Sequence, residues 1–227
     1  MMSNAVQKFL QRVEFDPALQ QGVSAFLEAM QIQQPTSNIS YQEFLDWADE
    51  DTLAEWVNGE VRMSSPASLQ HQQIERFLGY ILSFYIETHE LGELLPAPFQ
   101  MKLANSGREP DLLFARTEHL NRLRQTFLDG AADVVVEIVS PESAERDRGA
   151  KFLEYEAAGI PEYWLIDPIR PWMDAYQLGE EGHYVTAFAG SSGVCRSREI
   201  AGFWLRVEGL WQTPPRMRDA LRELALI

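Results

Sequence analysis

At 227 residues the chain is long enough for one domain with a full hydrophobic core and added segments. Its 34 acidic and 19 basic residues leave a formal net charge of −15, which argues against broad nonspecific binding to nucleic acid, a binding driven by phosphate neutralisation. A single cysteine, Cys195, excludes an intrachain disulfide and any multi-cysteine zinc site.

The same cysteine count fits a reducing compartment. No stretch approaches the ~20 apolar residues of a membrane span, and the first residues lack the pattern of a secretion signal. The expectation is a cytoplasmic protein without membrane contact. Charge is unevenly spread. Residues 1–60 hold ten acids against Lys8 and Arg12, whereas residues 102–151 hold nine acids against eight bases.

Taken in order, residues 4–33 read as one or two helices, with Val6, Phe9, Leu10 and Val13 and again Val23, Phe26, Leu27 and Met30 at helical spacing. Residues 1–37 are expected to form a helical arm that ends in a polar linker. Ser40-Tyr41-Gln42-Glu43 has capping-box spacing and predicts a short helix to about Asp49. Leu53–Val57 and Glu60–Met63, joined by Asn58-Gly59, predict a tight hairpin with Glu55 in its first strand. A long helix over Leu69–Glu90 carries Ile74, Phe77, Leu78 and Ile81 on one face, with His71 at its start.

Leu94–Leu103 predicts a strand bent by Pro96 and Pro98, and Ser106-Gly107 a turn. Asp111–Ala115 predicts a strand, Glu118–Arg124 a short helix, and Asp133–Val139 the central strand. A helix over Ala144–Ala158 ends at Gly159. Tyr163–Asp167, Trp172–Leu178, Tyr184–Phe188 and Cys195–Leu205 read as strands. A short helix follows Pro214-Pro215. The pattern is α/β (α+β): a mixed sheet with helices on its faces. The domain spans 38–212, with a helical tail over 213–227.

The chemistry is concentrated between Arg108 and Asp167. Glu137 sits inside the β-branched run Val134–Val139, where a carboxylate needs a partner, a proton or a metal. Asp111 opens the apolar run Leu112-Leu113-Phe114. Alone, Asp111 reads as a turn residue and Lys151 as a solvated helix residue. Their joint order, strand carboxylate, strand carboxylate, helix lysine, is that of a magnesium-dependent phosphodiester-cleaving site. Mg2+ (or Mn2+) takes few carboxylates and keeps waters, so Asp111, Glu137 and the carbonyl of Ile138 are candidate ligands. Lys151 would orient water or neutralise phosphate, and it shares a helix face with Tyr155. His71 either contacts phosphate, holds a carboxylate or makes a local hydrogen bond. Glu55 is either a further ligand, a partner for His71 or an exposed hairpin acid. Asp167 starts a turn, and Arg146 and Arg148 face either phosphate or solvent. Tyr41, Phe44, Trp47 and Trp56 read as core.

Glu55-Trp56-Val57-Asn58-Gly59-Glu60-Val61, His71, Glu109-Pro110-Asp111-Leu112-Leu113, Glu137-Ile138-Val139-Ser140-Pro141, Lys151 and the run Glu154–Asp167 carry a resemblance. Over Ser40–Leu178 the chain resembles a bacterial family of restriction-type endonucleases, often labelled Uma-type, within the PD-(D/E)XK nuclease superfamily. The resemblance implies a restriction-endonuclease-like core with a central mixed β-sheet flanked by helices. It also implies metal ligation by Asp111 and Glu137, with Glu55 as the earlier acid. Val139 stands where the superfamily places its lysine, and in the resembling family that lysine moves to the next helix, matching Lys151. The expected function is a metal-dependent DNA endonuclease acting as a homodimer without an organic cofactor. A non-catalytic binding or assembly module and a phosphodiesterase of small nucleotides are the alternatives.

Overall fold

In the computed structural model, residues 38–48, 52–63, 67–141 and 143–227 are described. The arm helices expected over residues 4–33 lie outside them. Ser40 caps α1 (Tyr41–Trp47). Its Oγ accepts from the Glu43 amide at 3.2 Å, and the Glu43 carboxylate accepts from the Ser40 amide at 2.7 Å. The hairpin of β1 (Ala54–Val57) and β2 (Glu60–Met63) turns through φ values of 52° at Asn58 and 85° at Gly59. Both are positive, as a two-residue turn matched to strand twist requires. The long helix α2 (Leu69–Thr88) starts at Ser68, whose Oγ accepts from the His71 amide.

The next stretch departs from expectation. Instead of one bent strand over Leu94–Leu103 there are two, β3 (Gly92–Pro96) and β4 (Gln100–Lys102), in different sheets. Pro96 and Pro98 have no N–H to continue a ladder, so the chain changes sheet there. Ser106-Gly107, expected as a turn, opens β5 (Ser106–Arg108). After β6 (Leu112–Arg116) the expected helix is a 3-10 helix, Thr117–Arg122. A further short strand, β7 (Phe127–Asp129), precedes β8 (Val134–Ile138).

The helix expected over Ala144–Ala158 breaks at Gly149 into α3 (Ala144–Arg148) and α4 (Ala150–Ala157). A Cβ at Gly149 would come within 2.9 Å of the Glu145 carbonyl oxygen, so the break needs glycine. Gly159 follows α4 at φ 77°. Then come β9 (Glu162–Asp167), β10 (Trp172–Leu178) and β11 (Tyr184–Gly190). In place of one strand over Cys195–Leu205 stands a hairpin, β12 (Val194–Arg196) and β13 (Trp204–Arg206). α5 (Met217–Glu223) closes the chain.

The mixed sheet flanked by helices is present, in the order β11-β10-β9-β8-β6-β3, with β8 and β9 parallel. A second mixed sheet, β2-β1-β5-β4-β7, packs beside it. Strand β8 is buried on both faces. Val134, Val136 and Ile138 enter a core shared with α2, and Val135 and Val139 a core shared with Tyr155 of α4, Met101 of β4 and Leu128 of β7. Side chains alternate along a strand, so Glu137 falls on the second face, under α4. The antiparallel register Leu112↔Val136 places Asp111 opposite it.

Candidate active site

Glu137 is 4% exposed. Its Oε1 accepts from Lys151 Nζ at 2.8 Å and from the Tyr155 hydroxyl at 2.6 Å. Lys151 and Tyr155 lie one turn apart on α4, so one helix face delivers both donors. Lys151 is itself buried and reaches the second sheet, where its Nζ lies 3.1 Å from Glu55 Oε1. Asp147 Oδ1 on α3 lies 3.6 Å from the same ammonium. One lysine thus faces three carboxylates drawn from β1, β8 and α3.

Glu55, expected with exposure as one alternative, is buried. Its Oε2 accepts from Arg108 Nη1 at 3.1 Å, and its Oε1 from the Glu109 amide at 3.3 Å. Arg108 is held in turn by Glu154, which accepts its Nε at 2.8 Å and also bonds Ser106 Oγ. Asp111 leads into β6 and joins the cluster through the backbone. Its Oδ2 accepts from the Ile138 amide at 2.6 Å, which ties it to the strand that carries Glu137. Its Oδ1 lies 3.2 Å from His71 Nε2, so of the roles open to His71 the structure shows it holding a carboxylate. His71 Nδ1 is buried without a hydrogen-bond partner and faces Glu75 Oε2 at 3.8 Å.

The electrostatics divide the acids. Burial alone would raise the Glu55 carboxyl, but the charges of Lys151 and Arg108 outweigh it and hold it at about 2. Burial drives Glu137 the other way, up to about 8; Lys151 opposes this, and Asp147, Asp111 and Glu55 add to it. Burial disfavours the charge of Lys151, but Glu137, Glu55 and Asp147 hold its pKa above the ordinary lysine value. The two glutamates that share Lys151 are thus shifted in opposite directions: the cations beside Glu55 favour its charge, and burial disfavours that of Glu137. Burial and Glu55 push Glu109 up to about 7. Burial also raises Asp147 and, with Asp111, Glu75. Burial lowers His71, but its hydrogen bond to Asp111 outweighs this and raises it.

The structure thus joins Glu55, His71, Asp111, Glu137 and Lys151 through a continuous set of contacts. Val139, two after Glu137, is buried in the core and cannot stand in for the lysine. Other candidates lie apart. Asp167 starts a turn, accepting from the Ile169 and Arg170 amides. Arg148 pairs with Asp167 and Asp174 instead of facing open solvent. Arg146 Nε lies 3.9 Å from Asp147. Of the expected core aromatics, Tyr41 and Phe44 are buried, while Trp47 and Trp56 are half-buried.

Sequence reasoning missed Glu75 and Asp147. Glu75 carried a signal, since it follows His71 by four residues and shares its helix face. His71, Glu75 and Asp111 place one donor atom each within 4.8 Å of one another. Two carboxylates and an imidazole form a donor set of the kind that fits a divalent cation.

A family model described as "Uma2: Putative restriction endonuclease" matches residues 41–208. No curated protein matches. Among solved structures, one described as a "putative nuclease belonging to DUF820", from Anabaena variabilis ATCC 29413, superposes with a TM-score of 0.66 at 16% identity, covering 76% of this chain and 97% of that one. At that identity the likeness shows a shared fold. Among the described residues no helix is long and apolar enough to cross a membrane.

Proposed function

Because the chain belongs to the Uma2 family, we propose that it is a metal-dependent DNA endonuclease that hydrolyses phosphodiester bonds. One observation carries the reading: Lys151, borne by a helix, lies 2.8 Å from Glu137 and 3.1 Å from Glu55, which come from two different sheets. Three acids around one lysine are costly for mere stability, since buried ion pairs barely offset their own desolvation.

Asp111, Glu137 and the carbonyl of Ile138 would hold a magnesium or manganese ion, with His71 and Glu75 bordering Asp111. Such an ion supplies charge stabilisation on the phosphate and an acidified water. The chain's own groups do the rest. Glu55, fixed by Arg108 and the Glu109 amide, aims the Lys151 ammonium at Glu137. Tyr155 fixes the same Glu137 oxygen from one turn further along α4. Lys151 positions the attacking water or neutralises the phosphate that approaches.

The test is cleavage of linear DNA in magnesium or manganese by the full chain and two variants. Asp111→Asn should abolish cleavage while the protein stays folded. Lys151→Ala should lower the rate by about 10²- to 10³-fold, the scale for loss of one charge-stabilising group. It should also destabilise the fold by about 3–5 kcal/mol, because it strands buried acids. Undiminished cleavage by Asp111→Asn would refute the assignment.

A further inference from the structure

Helix α2 has a second face beside the one that enters the site. Arg76, Tyr80 and Phe84 follow one another at four-residue spacing, so they form a stripe along the helix. Tyr80 is 60% exposed and Phe84 42%. A groove of about 300 Å³ runs beside the stripe, lined by Glu75, Arg76, Tyr80, Ser83, Pro96 and Leu112 among others. It meets the candidate active site at two points. Glu75 belongs to the group formed with His71 and Asp111, and Leu112 directly follows Asp111.

Exposed aromatics are ordinary when scattered. This one stands beside an arginine whose side chain, among the described residues, makes no ion pair or hydrogen bond, in a chain with 34 acids. Arg76 offers a phosphate one charge contact and Tyr80 offers a base one open ring face, while the carboxylates at the groove's end would meet a phosphate only across a bound cation. With a net charge of −15, the chain is poorly suited to gripping a duplex, which takes many phosphate contacts. A single strand adds to its phosphate contacts the stacking of bases on aromatic rings, which a duplex cannot offer and which tolerates any sequence.

We infer that the groove along Arg76 and Tyr80 binds a single-stranded nucleic-acid segment and leads it to Asp111. Tyr80 stacks a base, and Arg76 contacts a phosphate. The inference rests on the nuclease reading of the neighbouring site and names the form of its substrate.

The test is fluorescence anisotropy of a labelled oligothymidylate with the full chain in EDTA, set beside cleavage assays with metal. Tyr80→Ala should weaken binding by about 5- to 150-fold, the range for losing one stacked base. Tyr80→Phe should restore it. Arg76→Gln should weaken binding and make the salt slope shallower by about 0.7. A duplex of equal length should bind more weakly than the single strand. The inference falls if Tyr80→Ala binds as tightly as the wild type, if duplex binds better, or if Tyr80→Ala changes only a dimer–monomer balance in light scattering. If the wild type cleaves DNA but Tyr80 is irrelevant, the groove is wrong and the nuclease reading stands. If binding depends on Tyr80 but nothing is cleaved, the groove stands and the nuclease reading fails.

Discussion

Asp167, at the end of β9, shows how a single side chain sets a pH dependence. It accepts from the amides of Ile169 and Arg170 at 3.0 Å each, from Arg170 Nε at 2.9 Å and from Arg148 at 2.7 Å. Burial alone would raise its carboxyl, but the bonds from Arg170 and Arg148 outweigh that and hold it below the usual aspartate range. A depressed folded pKa contributes stability above the unfolded value of about 3.9, and this contribution is lost as pH falls through the folded value. Asp167→Asn should therefore cost about 1–3 kcal/mol at pH 7, the scale for hydrogen bonds to a charged group. In urea titrations the gap from wild type should close as pH is taken below about 3.9. A gap that stays constant with pH would show that charge is not the cause. Legibility at this scale follows the same physics. Glu137 stood out in the sequence because a charge in a β-branched run is costly without a partner. Asp147 did not, because helical acids are ordinarily solvated and only tertiary packing buries this one; Glu75 offered only its spacing from His71.

At the scale of elements, β5 rests on a glycine. A Cβ at Gly107 would come within 2.3 Å of Tyr41 Cε2 and 2.8 Å of Gln100 Oε1. Tyr41 is buried and donates its hydroxyl to Gln100 at 3.0 Å, so the α1 contact and the β4–β5 pair meet at that glycine. Gly107→Ala should destabilise the protein by about 1–3 kcal/mol through overpacking. Combining it with Tyr41→Ala should give a loss smaller than the sum of the two, measured by denaturant unfolding. Simple additivity would place the strain elsewhere. The hairpin at Asn58-Gly59 and the capping box at Ser40 were legible because local residues dictate them. Strands β5 and β7 were not, since three residues each are too few for a period-two pattern. The break at Gly149 was hidden because a lone glycine inside a helical stretch is tolerated and does not by itself end the helix.

For the whole molecule, clustered buried acids and a net charge of −15 favour cation uptake by the folded chain alone. Manganese or magnesium at about 100 times its dissociation constant should stabilise the fold by about 2.7 kcal/mol. Thermal melts should show the gain in the wild type and not in Asp111→Asn. An equal gain in both would place the ion elsewhere. The mixed sheet was legible from the alternation of strands and helices; the second sheet was not, because its partners come from distant short segments. The strand–helix–strand stretch from β8 to β9 also has a consequence in time. Its two strands sit mid-sheet with both faces covered, so their amides should exchange with solvent only on global unfolding. Glu55 instead lies on β1, beside the edge strand β2, where opening takes less free energy. The two halves of the lysine's surroundings should thus have different lifetimes, Glu137 staying with Lys151 through fluctuations that release Glu55; amide exchange as slow along β1 as along β8 would overturn this.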